Sequence, residues 1–167
     1  MEKILISACL LGHKVRYDGR AKKSVQGRID DWQSQGRLVP LCPEVAGGLA
    51  VPRPAAEIIG GDGSDVLDGG ARLQTEEQAD VTDAFVAGAR HALDVALAHG
   101  VRLAILKARS PSCGSSTIYD GTFRGQKISG VGVTTALLRR HGIAVFNEEQ
   151  LDEAATALRQ LERRDGK

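Results

Sequence analysis

Cys9, Cys42 and Cys113 are the residues of this chain best suited to chemistry, because a thiolate is both a nucleophile and a soft metal ligand. Each lies in a turn-forming motif at or shortly after the end of an apolar run. Cys9 closes Ile4-Leu5-Ile6-Ser7-Ala8 and Cys42 closes Leu38-Val39-Pro40-Leu41. Cys113 sits in Ser110-Pro111-Ser112-Cys113-Gly114, shortly after Leu103-Ala104-Ile105-Leu106. If these runs are neighbouring parallel strands, their carboxyl ends share one sheet edge, where open α/β folds bind ligands. Three thiolates then converge, and three protein ligands leave one iron of a 4Fe-4S cluster open to substrate. The rival is a structural zinc ion on the three cysteines and His13. Zinc motifs, however, keep their ligands in close pairs, and these cysteines are far apart. Burial as a small hydrophobe is the ordinary fate of any one such thiol, and a disulfide between two of them stays open.

Two polar residues stand beside the thiols. Glu44, two positions beyond Cys42, can activate water if a partly dehydrated cleft raises its pKa. Ser110 can relay a proton, and Ser112 can hydrogen-bond a cluster sulfur or a substrate. The ordinary alternatives are a surface acid and turn serines that bond their own backbone. Pro43, Gly47, Gly48 and Gly114 adjoin the thiols and are read as letting the backbone come close to a bulky ligand. Lys14, Arg16, Arg20, Lys22 and Lys23 follow the first run, while Arg53, Lys107 and Arg109 lie near the other two motifs. Of these, Arg16, Lys22, Arg53 and Lys107 are the candidate substrate contacts. Ser129-Gly130-Val131-Gly132-Val133-Thr134-Thr135 opens a helix with glycines and hydroxyls. It lacks the full dinucleotide fingerprint and the P-loop pattern, so it reads as an ordinary helix start rather than a phosphate site. His91, His99 and His141 have no partner motif and receive no role.

The elements that must position these residues alternate along the chain. Apolar runs predict strands at 3–8, 38–41, 103–107 and 143–146. A weak helix is expected at 25–36, the clearest at 76–99 with Gly100 as its cap, and two more at 133–141 and 148–163. Residues 52–63, rich in proline and glycine, read as irregular, and Asp68-Gly69-Gly70 predicts a small hairpin between Val66-Leu67 and Arg72-Leu73. The expected fold is α/β: a single domain spanning 1–167, with a mostly parallel sheet flanked by helices and a small β-hairpin insertion.

Composition narrows the function classes. The 167 residues are 42% hydrophobic and only 4% aromatic, so the core must be aliphatic. A net charge of +1 argues against a broad nucleic-acid or membrane surface and leaves room for a local anion site. An odd cysteine count without short spacing fits a reducing cytoplasm better than a secreted disulfide framework. Ile6-Ser7-Ala8-Cys9 looks like a lipoprotein cleavage box, but it stands far closer to the start than the roughly 15–30 residues of a signal peptide. No segment reads as a membrane span.

Taken in order, Ser-Ala-Cys-Leu-Leu-Gly with Val-Arg-Tyr-Asp-Gly, Cys-Pro-Glu-Val-Ala-Gly-Gly-Leu with Pro-Arg-Pro, Ser-Pro-Ser-Cys-Gly, and Gly-Val-Gly-Val-Thr resemble the TudS thiouracil desulfidase family. The resemblance runs from about Lys3 to Phe146. It implies a catalytic 4Fe-4S cluster on Cys9, Cys42 and Cys113, with catalytic roles for Glu44 and Ser110. The mechanism it suggests is hydrolytic. The open iron takes the thiocarbonyl sulfur, Glu44 deprotonates a water that attacks the carbon, and Ser110 helps move a proton as C=S becomes C=O and hydrogen sulfide leaves. The implied substrates are small thiolated uracils: 2-thiouracil, 4-thiouridine or its 5'-monophosphate. The basic residues tilt this toward the nucleotide, because a phosphate gives Arg or Lys a charge-assisted contact. The competing class is a non-catalytic iron-sulfur or zinc protein, a redox sensor or electron carrier. An electron-transfer cluster usually has four protein ligands, and only three cysteines are present. A thiolation enzyme running sulfur the other way would need an ATP-binding loop, and the sequence has none.

Overall fold

The computed structural model of the chain describes residues 1–11, 23–50 and 53–164. The elements run β1 Ile4–Ser7, α1 Ala8–Leu11, α2 Lys23–Ser34, β2 Leu38–Leu41, α3 Pro43–Ala46, β3 Ala56–Ile59, α4 Gly63–Leu67 and β4 Arg72–Thr75. After these come α5 Thr82–Ala98, β5 Leu103–Leu106, β6 Thr117–Tyr119, β7 Lys127–Ser129, α6 Val133–Arg140, β8 Ala144–Asn147 and α7 Leu151–Arg164.

Four strands form one wholly parallel sheet in the order β2-β1-β5-β8. Side chains alternate across a strand, so each central strand feeds two cores. Ile4 and Ile6 of β1, with Leu103 and Ile105 of β5, pack against Ile29 and Trp32 of α2 and Leu151, Ala154 and Leu158 of α7. On the other face Leu5, Ala104 and Leu106 meet Ala92, Leu93 and Ala96 of α5 and Leu138 of α6. A strand covered on both faces reads as a continuous apolar run, which is why β1 and β5 are legible in the sequence. The chain leaves β1 for β2 on one side and returns to β5 on the other. The strand order therefore reverses between β1 and β5, where ligands bind in open α/β sheets.

Outside the sheet the expected hairpin is relocated. Val66 and Leu67 are helical, because Asp62 accepts the Ser64 and Asp65 N–H groups while the Asp65 carboxylate accepts the Asp62 N–H, a closed capping box that starts α4. The strand that pairs antiparallel with β4 is β3, inside the stretch expected to be irregular, with Ile58 opposite Leu73. Both are buried in a third core with Phe85, Ile118 and Val133. A second antiparallel pair, β6–β7, has no counterpart among the expected strands. Helix α5 starts at Thr82 rather than 76. Residues before it form a tight turn with Gln78 at φ 67°, and Thr75 Oγ1 accepts the Ala79 N–H. Likewise α7 begins at Leu151, leaving Glu148 outside the helix.

Candidate active site

The carboxyl ends of β1, β2 and β5 bring the three cysteine motifs together. Cys9, Cys42, Cys113, Glu44, Lys107 and Ser110 line one cavity of about 90 Å³. Glu44, Lys107, Ser110 and Arg53 belong equally to the wall of a cleft of about 610 Å³, which adds Glu57, Arg109 and Tyr119. Polar and ionisable groups thus stand where the thiol cavity meets the larger space.

Each thiol is held differently. Cys42 precedes α3, and that four-residue helix lies directly on α5: a Cβ at Gly88 would collide with the Pro43 carbonyl, and one at Gly47 with the Ala84 carbonyl. The glycine after Cys42 therefore serves an approach of backbone to backbone, in place of the expected approach to a ligand. Cys113 is buried, with its loop clamped by the start of α6. The Val133 N–H donates to the Pro111 carbonyl, the Thr134 N–H to the Ser112 carbonyl and Thr135 Oγ1 to the Cys113 carbonyl. A Cβ on Gly132 would lie 2.7 Å from the Cys113 nitrogen. The helix start in the Gly-Val-Gly-Val-Thr-Thr segment is thus spent on the cysteine loop. Burial pushes the Cys113 thiol up to about 12, against hydrogen bonds from Ser112 and Ser7. Cys9 is the exposed member, yet desolvation still raises its thiol, with Cys42 adding to the rise and the Lys107 ammonium opposing it. All three are free thiols.

Ser110 Oγ accepts the Ser112 N–H at 3.2 Å and the Cys113 N–H at 2.7 Å. Glu44 is an ion-paired acid, receiving Arg53 Nε at 2.9 Å. Arg53 also donates to the Ala50 carbonyl. Ser112 lines neither cavity; it is fully buried with its hydroxyl 2.8 Å from Thr134 Oγ1. Arg16, Lys22 and His13 lie outside the described residues. Sequence reasoning missed Ser7 and Glu148. Ser7 ends β1, is buried, donates toward Cys113 Sγ at 3.8 Å and accepts the Lys107 N–H at 2.9 Å. A serine ending an apolar strand was the available signal. Arg109, at φ 71°, is held by a two-pronged pair with Glu149. Among the described residues, no three His, Cys, Asp or Glu side chains group tightly enough to hold a single metal ion, and no helix is long and apolar enough to cross a membrane.

The sequence profile of the 2-thiouracil desulfurase family matches residues 4–150, which contain all of this site. This chain belongs to that family. Across 96% of its length it is 51% identical to a solved structure described as a [4Fe-4S]-dependent thiouracil desulfidase, TudS, covering 99% of that chain with a TM-score of 0.81. It is also 44% identical over 152 residues to the uncharacterized protein YbbK of Bacillus subtilis (strain 168), covering 90% of this chain and 98% of YbbK. Within the 2-thiouracil desulfurase family, then, this chain keeps the parallel sheet, and its three thiols face one cavity at the sheet's carboxyl edge.

Proposed function

We propose that this member of the family is an iron-sulfur-dependent desulfidase that hydrolyses the thiocarbonyl of a small thiolated uracil, as base, nucleoside or 5'-monophosphate, to the oxo form with release of hydrogen sulfide. The observation that carries this reading is the meeting of three thiols, the Glu44 carboxylate and the Ser7 and Ser110 hydroxyls from three separate segments around a single cavity. Cys9, Cys42 and Cys113 would hold a 4Fe-4S cluster there. The donor set supports a cluster over a zinc ion: thiolate is the ligand such clusters use, and a cluster spreads its ligands over different irons, whereas zinc needs them in one tight tetrahedron. When bound, the cluster supplies a Lewis-acidic iron for the thiocarbonyl sulfur.

The remaining work falls to side chains of this protein. The Glu44 carboxylate, oriented by Arg53, takes a proton from the attacking water. Ser110 spends both hydroxyl lone pairs on backbone N–H groups, so only its proton is left to offer to the substrate. The larger cleft is of a size that suits a nucleotide, and Arg109 and Arg53, ion-paired with Glu149 and Glu44, stand in its wall.

Anaerobic purification with cluster reconstitution tests this, followed by 4-thiouridine 5'-monophosphate and measurement of uridine monophosphate and sulfide. The expected protein is brown, carries about four irons and releases sulfide without added reductant. A colourless protein holding zinc, or a requirement for an electron donor, would sink the hydrolytic iron-sulfur reading.

A further inference from the structure

Among the described residues Glu148 is the only buried carboxylate, 6% exposed. It follows β8, whose register with β5 sets Asn147 beside Leu106, so the next residues of both strands emerge together at the sheet edge. One Glu148 oxygen accepts the Ala108 N–H at 2.8 Å and the other receives Lys107 Nζ at 2.6 Å. Burying a carboxylate is costly unless its oxygens are paired, and here both are. The Lys107 N–H is tied to Ser7 Oγ on β1 at 2.9 Å. Backbone and ammonium of Lys107 are therefore both anchored, at a residue that lines the thiol cavity and the cleft alike.

Resting on the desulfidase reading above, we propose that Lys107 is a catalytic cation at the reacting thiocarbonyl, and that Glu148 is the positioning residue that holds it there. Hydrolysis consumes one water. Its oxygen forms the new C–O bond, the C–S bond breaks with its electron pair leaving on sulfur, and the two protons of the water end on hydrogen sulfide; no electron is exchanged. Addition of the water oxygen puts negative charge on the thiocarbonyl sulfur, where it stays as the C–S bond breaks. A cation fixed beforehand beside the reacting atoms stabilises that charge without reorganising. An ammonium carries three donors, and Glu148 takes one. A phosphate contact in the open cleft would have no use for a lysine anchored at both ends beside the thiols.

The test compares Lys107→Met, Lys107→Arg, Glu148→Gln and the Lys107→Met/Glu148→Gln double variant, reconstituted anaerobically and normalised to iron content. Each is assayed over a range of 4-thiouridine and of its 5'-monophosphate. Lys107→Met is expected to lower kcat about 10²-fold and Glu148→Gln about 10-fold, with KM little changed for either substrate. Lys107→Arg should recover part of the loss, and the double variant should be no slower than Lys107→Met alone. The amide introduced by Glu148→Gln can still accept the Ala108 N–H, so that variant carries the test if Lys107→Met fails to fold. A rise in KM for the monophosphate alone, with kcat kept, would make Lys107 a phosphate contact and overturn the proposal. Fully additive losses would remove the positioning role of Glu148. An iron-loaded wild-type protein that releases no sulfide from these two substrates or from 2-thiouracil would defeat the desulfidase reading itself, a result distinct from an active wild type with unaffected variants.

Discussion

Ser110 has two duties, and they separate on mutation. Its hydroxyl oxygen closes the turn that carries Cys113 by accepting two N–H groups, while its proton is the one proposed to reach the substrate. Ser110→Ala should lose about 1 kcal/mol of stability, the usual cost of a lost cap, together with most of the activity. Ser110→Thr, which keeps the acceptor, should restore the melting temperature; if it also restores full kcat, the hydroxyl proton is sufficient in either side chain, and the methyl group does not obstruct the cavity. Glu44→Gln separates enzyme from carrier. With its carboxylate lost as a proton acceptor, desulfuration should fall by about 10²–10⁴-fold at unchanged iron content, whereas cluster reduction would be little affected. A variant that keeps its turnover would dismiss Glu44 as the base.

Among the secondary-structure elements, glycines decide how the loops are pinned. Gly88 of α5 lets the Pro43 carbonyl of α3 sit against the helix backbone, and α3 carries Glu44 just after Cys42. Gly88→Ala must push α3 away, so a destabilisation of about 1–3 kcal/mol should come with reduced iron binding, read by denaturant melts and iron counts. Gly27 of α2 is the contrasting case, with open space where its Cβ would be. Gly27→Ala should stabilise the protein by about 0.5–1 kcal/mol through helix propensity and leave turnover alone. A Gly88→Ala protein with wild-type stability would mean that the α3–α5 contact relaxes easily.

For the whole molecule, charge and cavity size set what can enter. A net charge of +1 gives little of the phosphate neutralisation that holds a polymer, while a cleft of about 610 Å³ matches a mononucleotide. Intact 4-thiouridine-containing RNA should therefore be a poor substrate, and the same RNA after nuclease digestion a good one, read by sulfide release; equal rates would show that the site accepts a polymer. What the sequence determined by itself was whatever a few adjacent residues can specify. It determined the two continuous apolar strands, the helix that Gly100 ends, the turn motifs carrying Cys9, Cys42 and Cys113, and Glu44 and Ser110 beside them. Strand β3 was hidden because its four residues lie between proline and glycine, and Asp62 and Asp65 act as a cap only when α4 is formed. Only the tertiary structure decided that Arg53 pairs with Glu44, that Ser7 reaches Cys113, and that Glu148 turns inward to Lys107 instead of opening a helix. Such contacts depend on which strands are neighbours and in what register. Strand order is settled by burying both faces of β1 and β5 at once, and no local stretch of sequence encodes it.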